Sequence, residues 1–376
     1  MGAGSLLKGS SRFFQNYPQD RVTYMTTPRM EIDLAKIAHN AKNLKKLYGS
    51  KGIDIIGVTK GVCGAPDIAN TLVKSGISVL ADSRMSNIRR MREAGIEAEF
   101  LLLRTPIPSQ AESVIKYANI SLNSEISVVK SLSKFAVEYN ATHKIILMVE
   151  LGDLGEGLMP SDLEGTVEEV MELEGIELAG IGTNLACQGG IKPDEEKMEY
   201  LSSLAREVEE KFELTLEFIS GGNSANYTWF MSTEDVGRIN NLRLGESIYL
   251  GCVTLYRTPI PRLFTDAFTL VAEVIESKIK PSVPYGEVCQ DAFGTIPTFQ
   301  DRGQIKRAIL GVGLQDVLVS GLTPELDIDI LGMSSDYIIA DAKQIDLKVG
   351  DEVEFSLNYG GLLSAMTSPY VIKKYE

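Results

Sequence analysis

Between residues 53 and 245 the chain repeats one unit, a short apolar run followed by a longer amphipathic stretch. The runs are IDIIGVT (53–59), ISVLA (77–81), EFLLL (99–103), NISLN (119–123), KIILMVEL (144–151), IELAGIGTN (176–184), TLEFIS (215–220) and RINNLRLG (238–245). Near-continuous apolar runs of this length fit strands covered on both faces, as in a parallel sheet. The segments between them, 160–173 and 194–211 among them, read as helices. Upstream, DLAKIAHNAKNLKKLY sets Leu34, Ile37, Ala38, Ala41, Leu44 and Leu47 on one helical face, a stripe suited to a core. Eight β/α units is the number that closes a barrel. The expected fold is therefore α/β, a (β/α)8 TIM barrel over residues 25–255.

After residue 256 the pattern breaks. A proline-marked linker, YRTPIPR, leads into FTLVAEVIESKI, RAILGVG, DIDILGM, YIIADA and EVEFSLNY, which read as short strands with little helix. A chain of 376 residues exceeds one ordinary core, so 256–376 is expected to be a separate β-rich C-terminal domain. Residues 1–24 resemble nothing downstream and are expected to be an N-terminal extension or cloning remnant, with Met25 as a second possible start.

Charge and cysteine usage narrow the function classes. A net charge of -14 argues against nucleic acid or an anionic membrane as partner, since both need clustered Lys and Arg, and an acidic field favours cationic substrates. No segment approaches a membrane span and no signal-peptide core is present, so export is not expected. Cys63, Cys187, Cys252 and Cys289 lie far apart without a C-x-x-C pair, which fits neither a disulfide framework nor a zinc site and points to a reducing cytoplasm. The two histidines, His39 on an exposed-looking helix and His143 ahead of a strand, make Ser-His-Asp catalysis and multi-histidine metal sites poor fits. No metal is expected.

Barrel enzymes carry their chemistry at the C-terminal ends of the strands. That rule selects Lys60, Asp82, Ser83, Arg84, Asn123, Glu150, Asn184, Ser220 to Ser224, and Arg243 to Glu246. Two groups suit an anion: SGGNSANY (220–227), with a hydroxyl at Ser224 and the start of a helix, and RLGES (243–247), with a glycine turn beside an arginine. Free N–H groups at a helix start hold phosphate well. A lysine after the first barrel strand with phosphate cradles after the seventh and eighth suits pyridoxal phosphate, whose aldehyde forms an imine with an amine and whose ring is tuned by a protein group. That amine must be neutral to serve as nucleophile and base. Alone, Lys60 would read as a strand-end lysine and the glycines as turns; their joint order shifts the odds.

Taken in order, EIDLAKIAHN, GVTKGVCG, GIGTNLA, GGNSAN and LRLGESIYLG resemble the fold-type III pyridoxal phosphate enzymes of the alanine racemase superfamily. TKGVCGAPDIA, LADSRMSNI, VELGDLGEGL, DAFGTIP, RAILGVGLQDV, GMSSDYIIAD and AMTSPYV are most similar to the ornithine racemase branch. The resemblance spans about residues 27 to 376 and implies roles. Lys60 stands where the imine-forming lysine stands, and Arg243 where an arginine meets the pyridine nitrogen. Asn184 lies near the ring, replacing a histidine; Ser224, Gly222, Gly245 and Glu246 fall where the phosphate is held. Ser335 and Asp336 match a loop that approaches the substrate carboxylate from a partner subunit, which implies a head-to-tail homodimer with shared sites.

The departures from that family carry information too. GLQD places Leu314 where alanine racemases have a catalytic tyrosine, and leucine cannot move a proton. Gly155 and Glu156 stand where an arginine is expected. The second base is left open among Tyr337, Cys289, Asp291 and Asp316, with strand packing, a small buried thiol or a turn as the plainer roles of the first three. Glu156, Asp316 and the overall acidity favour a basic amino acid, ornithine or lysine, racemised by Lys60 and a second group. Two other readings stand beside this one: a fold-type III decarboxylase, suggested by YGEVCQD but opposed by Arg243, and a noncatalytic pyridoxal phosphate carrier, opposed by the second domain.

Overall fold

The structure, a computed structural model, describes residues 27–376; the expected extension at 1–24 lies outside them. The chain begins with β1 (Arg29–Ile32) and α1 (Leu34–Gly49). Eight strand and helix pairs follow: β2 (Asp54–Val58) and α2 (Pro66–Lys74), β3 (Val79–Asp82) and α3 (Met85–Glu93), β4 (Glu99–Leu102) and α4 (Ala111–Tyr117), β5 (Ile120–Asn123) and α5 (Ile126–Glu138). Then come β6 (His143–Met148) and α6 (Pro160–Met171), β7 (Ile176–Gly182) and α7 (Glu195–Phe212), β8 (Phe218–Asn223) and α8 (Tyr227–Ser232), β9 (Asn241–Leu244) and α9 (Glu246–Leu250). Strands β2 to β9 form a closed barrel, sealed where Asp54 of β2 stands opposite Asn241 of β9.

Successive side chains of a strand face opposite ways, and here that alternation separates two cores. Ile56, Leu101, Ile120, Ile146 and Met148 fill the barrel interior, while Ile55, Phe100 and Leu147 face the helix layer. Each such buried side chain contributes about 1.5–3 kcal/mol. Several boundaries differ from those expected. The run 215–220 does not open as strand, because the Leu216 N–H is taken by the Glu209 carboxylate at 3.0 Å, so β8 starts at Phe218. His143 opens β6 rather than preceding it. On α1 the fully buried face is Ile37, Asn40, Ala41, Leu44 and Tyr48. Asn40 belongs there because its amide donates to the carbonyls of Ile248 (2.9 Å) and Phe264 (2.8 Å) and accepts from Phe264 N–H.

The remaining elements are β10 (Phe268–Pro281), β11 (Gln304–Leu310), β12 (Leu322–Pro324), β13 (Asp329–Met333), β14 (Ile338–Asp341), β15 (Glu352–Leu357), α10 (Tyr359–Thr367) and β16 (Ile372–Tyr375). They form a sheet in the order β12-β15-β10-β11-β14-β13, to which β1 and β16 are joined. The expected assignment of residues 25–255 to the barrel is corrected at its start: β1 pairs antiparallel with β10 and parallel with β16, since the barrel is already closed and offers no edge. Nor are the C-terminal strands all short. β10 runs for 14 residues and bends at a bulge between Val274 and Glu276. Its first half pairs with β15 and its second with β11. EVEFSLNY does not continue as strand, because the Asn358 side chain accepts the Gly361 N–H at 3.0 Å and caps α10.

Candidate active site

A cavity of about 300 Å³ lies at the C-terminal ends of the barrel strands. Its floor is the barrel core, through Val58, Leu122 and Met148. Lys60 enters from a single 3-10 turn, Lys60–Val62, immediately after β2. That turn is fixed from behind. The Thr59 N–H donates to Ala81 O at 2.8 Å and its hydroxyl donates to Asp82 Oδ2 at 2.9 Å. Asp82 also accepts from Arg84 N–H and Asn87 Nδ2, and its burial raises its pKa against the pull of those donors.

Arg243, on the neighbouring strand β9 and opposite Ile56 of β2 in register, is buried and lines the same cavity. Its Nη1 donates to Ser220 Oγ at 2.6 Å and its Nη2 to Thr183 O at 2.7 Å, with Asn184 Oδ1 at 3.5 Å. All three acceptors are neutral. Burial pushes the guanidinium pKa down to about 10, so it keeps its charge at neutral pH.

The SGGNSAN stretch folds into a polar cradle. Gly222 has φ +139, and a Cβ there would meet Asn226 Oδ1 at 2.4 Å, so glycine is required. Asn226 Oδ1 accepts the Asn223 N–H at 3.0 Å, while Asn223 Nδ2 donates to Asn184 Oδ1 at 2.9 Å and Leu185 O at 2.8 Å. Ser224 Oγ accepts from both the N–H (3.2 Å) and hydroxyl (3.0 Å) of Ser247, which ties this cradle to the start of α9 and leaves the Ser224 proton free to donate.

Glu156 lines the far wall and accepts the Thr105 N–H. The loop that carries it is organised by two carboxylates. Glu150 accepts the N–H groups of Gly152 (2.5 Å), Leu154 (2.9 Å) and Gly155 (3.1 Å). Asp153, 1% exposed, reaches across to the loop after β7 and accepts from Cys187 (3.2 Å), Gln188 (2.8 Å) and Ile191 (3.0 Å). Burial alone would raise its pKa, but these donors together with Gly189 outweigh it and hold the pKa low.

The cavity thus gathers Lys60, Glu156, Asn184, Ser224, Arg243, Gly245 and Glu246, with Gly222 shaping the cradle behind. Asp82 and Glu150 hold loops, and Asn123 turns its amide to the backbone and hydroxyl of Ser121. Tyr337, Asp316, Ser335, Asp336, Cys289 and Asp291 do not line it. Asp316 accepts the Gly313 N–H at 2.8 Å, and burial, then the neighbouring Asp336, raise its pKa. Ser335 and Asp336 are exposed and Tyr337 is half-buried. The Leu314 N–H donates to Ser334 O at 3.1 Å, so these residues form one surface cluster on the second domain. Cys289 is exposed; the Asp291 carboxylate holds its own turn, accepting from Phe293 and Thr295 N–H at 2.9 Å each.

Besides apolar lining, four residues with polar or reactive side chains escaped the sequence reading: Cys187, Thr254, Arg257 and Tyr359. Tyr359 opens α10 and its ring packs on Gly61, 3.1 Å from where a Cβ would sit. Burial first, then Asp82, raises its pKa to about 12. The Asn-Tyr-Gly-Gly sequence around it carried a helix-cap signal that strand-like alternation upstream masked. No group of three or more metal-ligating side chains exists among the described residues.

A closed (β/α)8 barrel that presents an amine, a buried guanidinium and two helix-start cradles to one cavity, with a tyrosine added from a β domain, defines a two-domain barrel enzyme centred on a lysine. The sequence profile of the alanine racemase N-terminal domain matches residues 32–252. The chain belongs to the alanine racemase family. It is 40% identical over 351 residues to the ornithine racemase of Acetoanaerobium sticklandii, spanning 92% of this chain and 99% of that protein. It is 41% identical over 354 residues to the lysine racemase of Thermotoga maritima, spanning 94% and 99%. Among solved structures, the alanine racemase of Clostridium difficile 630 superposes with a TM-score of 0.72 at 22% identity over 94% of this chain and 96% of that one, a likeness of fold.

Proposed function

We propose that the protein is a pyridoxal 5'-phosphate-dependent racemase that interconverts the L and D forms of a basic amino acid, ornithine or lysine. One observation carries this reading: the Lys60 side chain and a buried guanidinium held only by neutral acceptors line the same cavity. No carboxylate hydrogen-bonds Arg243, and Glu156 across the cavity offsets only part of its burial, so the cation is costly unless an acceptor completes it. The pyridine nitrogen of the cofactor is such an acceptor, and a charged Arg243 keeps that nitrogen unprotonated. The cradle around Ser224 and Gly245 suits the phosphate.

When bound, the cofactor supplies an aldehyde carbon for an amine and a ring that withdraws electrons from the substrate α-carbon. Lys60 takes the α-proton on its own face or returns one there. Arg243 would hold the ring nitrogen and, by its charge, would limit how far electrons spread into the ring, which would restrict competing reactions. Glu156 receives the side-chain ammonium of the substrate, with the Thr105 N–H fixing one carboxylate oxygen. The names of the ornithine and lysine racemases among its relatives support a basic substrate.

The second proton donor belongs to a partner copy of the chain, from the cluster of Tyr337 and Asp316, with Ser335 and Asp336 meeting the substrate carboxylate. Exposed apolar side chains at Tyr285 (97%), Ile279 (72%) and Ile296 (65%) support burial against that copy; sedimentation as a monomer at micromolar concentration would refute it. The four free cysteines support a cytoplasmic setting. The reading as a whole is tested by proton NMR in deuterated water with one enantiomer each of ornithine, lysine, arginine, alanine and serine. Loss of the α-proton signal with the opposite enantiomer on chiral chromatography supports it. Retained α-protons across the panel, or a new amine from decarboxylation, refute it.

A further inference from the structure

The phosphate end of the cavity contains a carboxylate that should not be there. Glu246 directly follows Gly245 and lines the same cavity as Ser224, so an uncompensated Glu246 would repel a phosphate dianion held there. Its side chain is 10% exposed, too dry for solvent to screen the charge.

Compensation comes from the linker between the domains. Arg257 has φ 56, a left-handed conformation that residues with a Cβ rarely adopt, and two backbone bonds hold it there. Its N–H donates to Val253 O at 2.8 Å, and the Val253 N–H donates to Thr258 O at 2.8 Å. That turn swings the guanidinium back over the barrel mouth, where Nη1 meets Glu246 Oε1 while the side chain remains 55% exposed. Both residues line the cavity, and so does Thr254; the Thr254 hydroxyl and Glu246 Oε1 are both buried without a hydrogen-bond partner, so the Arg257 contact is an ion pair only. A guanidinium has five N–H donors in one plane; the contact with Glu246 uses one nitrogen.

We infer that Arg257 is a direct ligand of the cofactor phosphate, clasped by Glu246 so that the donors left over point at the anion. The inference rests on the cofactor assignment proposed above. It goes beyond that assignment by giving the linker a binding role and Glu246 a steering one.

The test compares pyridoxal 5'-phosphate with pyridoxal, which has the aldehyde but no phosphate. Equilibrium titration followed by the absorbance of the Lys60 adduct gives an affinity for each. For R257Q we expect pyridoxal 5'-phosphate to bind about thirtyfold more weakly, the size of one hydrogen bond to a charged group, with pyridoxal unchanged. The double variant R257Q/E246Q removes the repelling carboxylate along with the arginine and leaves no buried charge to unfold the site; it is expected to stay weak. Wild-type affinity in the double variant would show that Arg257 only neutralises Glu246 and would overturn the inference. So would equal weakening of both aldehydes in R257Q, or no weakening at all. If the wild-type protein bound neither aldehyde at Lys60, the cofactor assignment would fall and the inference with it, whereas the other negative results remove Arg257 alone.

Discussion

Asp153→Asn should loosen one wall of the cavity without touching Lys60 or Arg243. Asp153 is buried, and its two oxygens hold the loop after β7 through Gln188 N–H at Oδ2 (2.8 Å) and Ile191 N–H at Oδ1 (3.0 Å). Asparagine has one acceptor oxygen, so one of these N–H groups must face an NH2 whichever way the amide turns. The loss is one hydrogen bond to a charged acceptor, about 2 kcal/mol. Gly189 offers no spare donor, since its N–H already acts on the same carboxylate. Local opening of the loop should therefore rise about thirtyfold, read as faster amide hydrogen exchange at Gln188 or Ile191. Because Asn184, Ala186 and Cys187 line the cavity from this segment, KM should rise more than kcat falls. The pH dependence has a fixed sign. The Asp153 pKa is held low in the folded protein, so its contribution is complete above the unfolded value of about 4 and is lost as pH falls through the folded one. The difference between wild type and variant should be constant from neutral pH down to about 5 and then shrink. Unchanged exchange at both amides at pH 7 would refute the latch.

Three further outcomes are expected. Lys60→Ala should remain folded by circular dichroism but develop no visible absorbance with pyridoxal 5'-phosphate after dialysis; persistent colour would place the cofactor elsewhere. Glu156→Gln should raise KM for ornithine and lysine about 5- to 30-fold, a partly screened charge pair worth 1–2 kcal/mol, while leaving alanine turnover unaffected; parallel losses for all substrates would deny it a role in selectivity. Tyr337→Phe should abolish racemisation while Lys60-side α-proton exchange continues, and mixing it with Lys60→Ala should restore some activity through hybrid dimers; no restoration would remove Tyr337 from the partner's site.

The barrel was legible because its signal is repetitive: eight apolar runs, each followed by a helix of ordinary amphipathicity, leave few other ways to bury those residues. The strand-end rule then found Lys60, Asn184, Ser224 and Arg243, since position along a strand decides which side chains meet. It also selected Asp82, Asn123 and Glu150, because a polar residue that braces a loop leaves the same trace as one that lines the cavity. What escaped was set by contacts distant in sequence. Asn40 is buried because carbonyls more than 200 positions away need its amide, and hydropathy alone marks it as surface. Arg257 lies in a linker whose prolines predict a turn but not where a guanidinium will swing. β1 has the composition of a strand, but which sheet accepts it depends on an edge created by β10 and β16.

That last pairing also sets an order of events in biosynthesis. β1 leaves the ribosome before the barrel strands, yet its parallel neighbour, Ile372–Tyr375, is made after all of them. The barrel strands, complete by Leu244, are free to assemble while the C-terminal sheet is still being translated, and α1 must wait beside them with its leading strand only half served. Tyr359 enters the cavity from that late sheet's helix. A nascent chain released early would therefore carry a closed barrel with an unfinished pocket, and β1, made before the barrel, would be among the last strands to find its place.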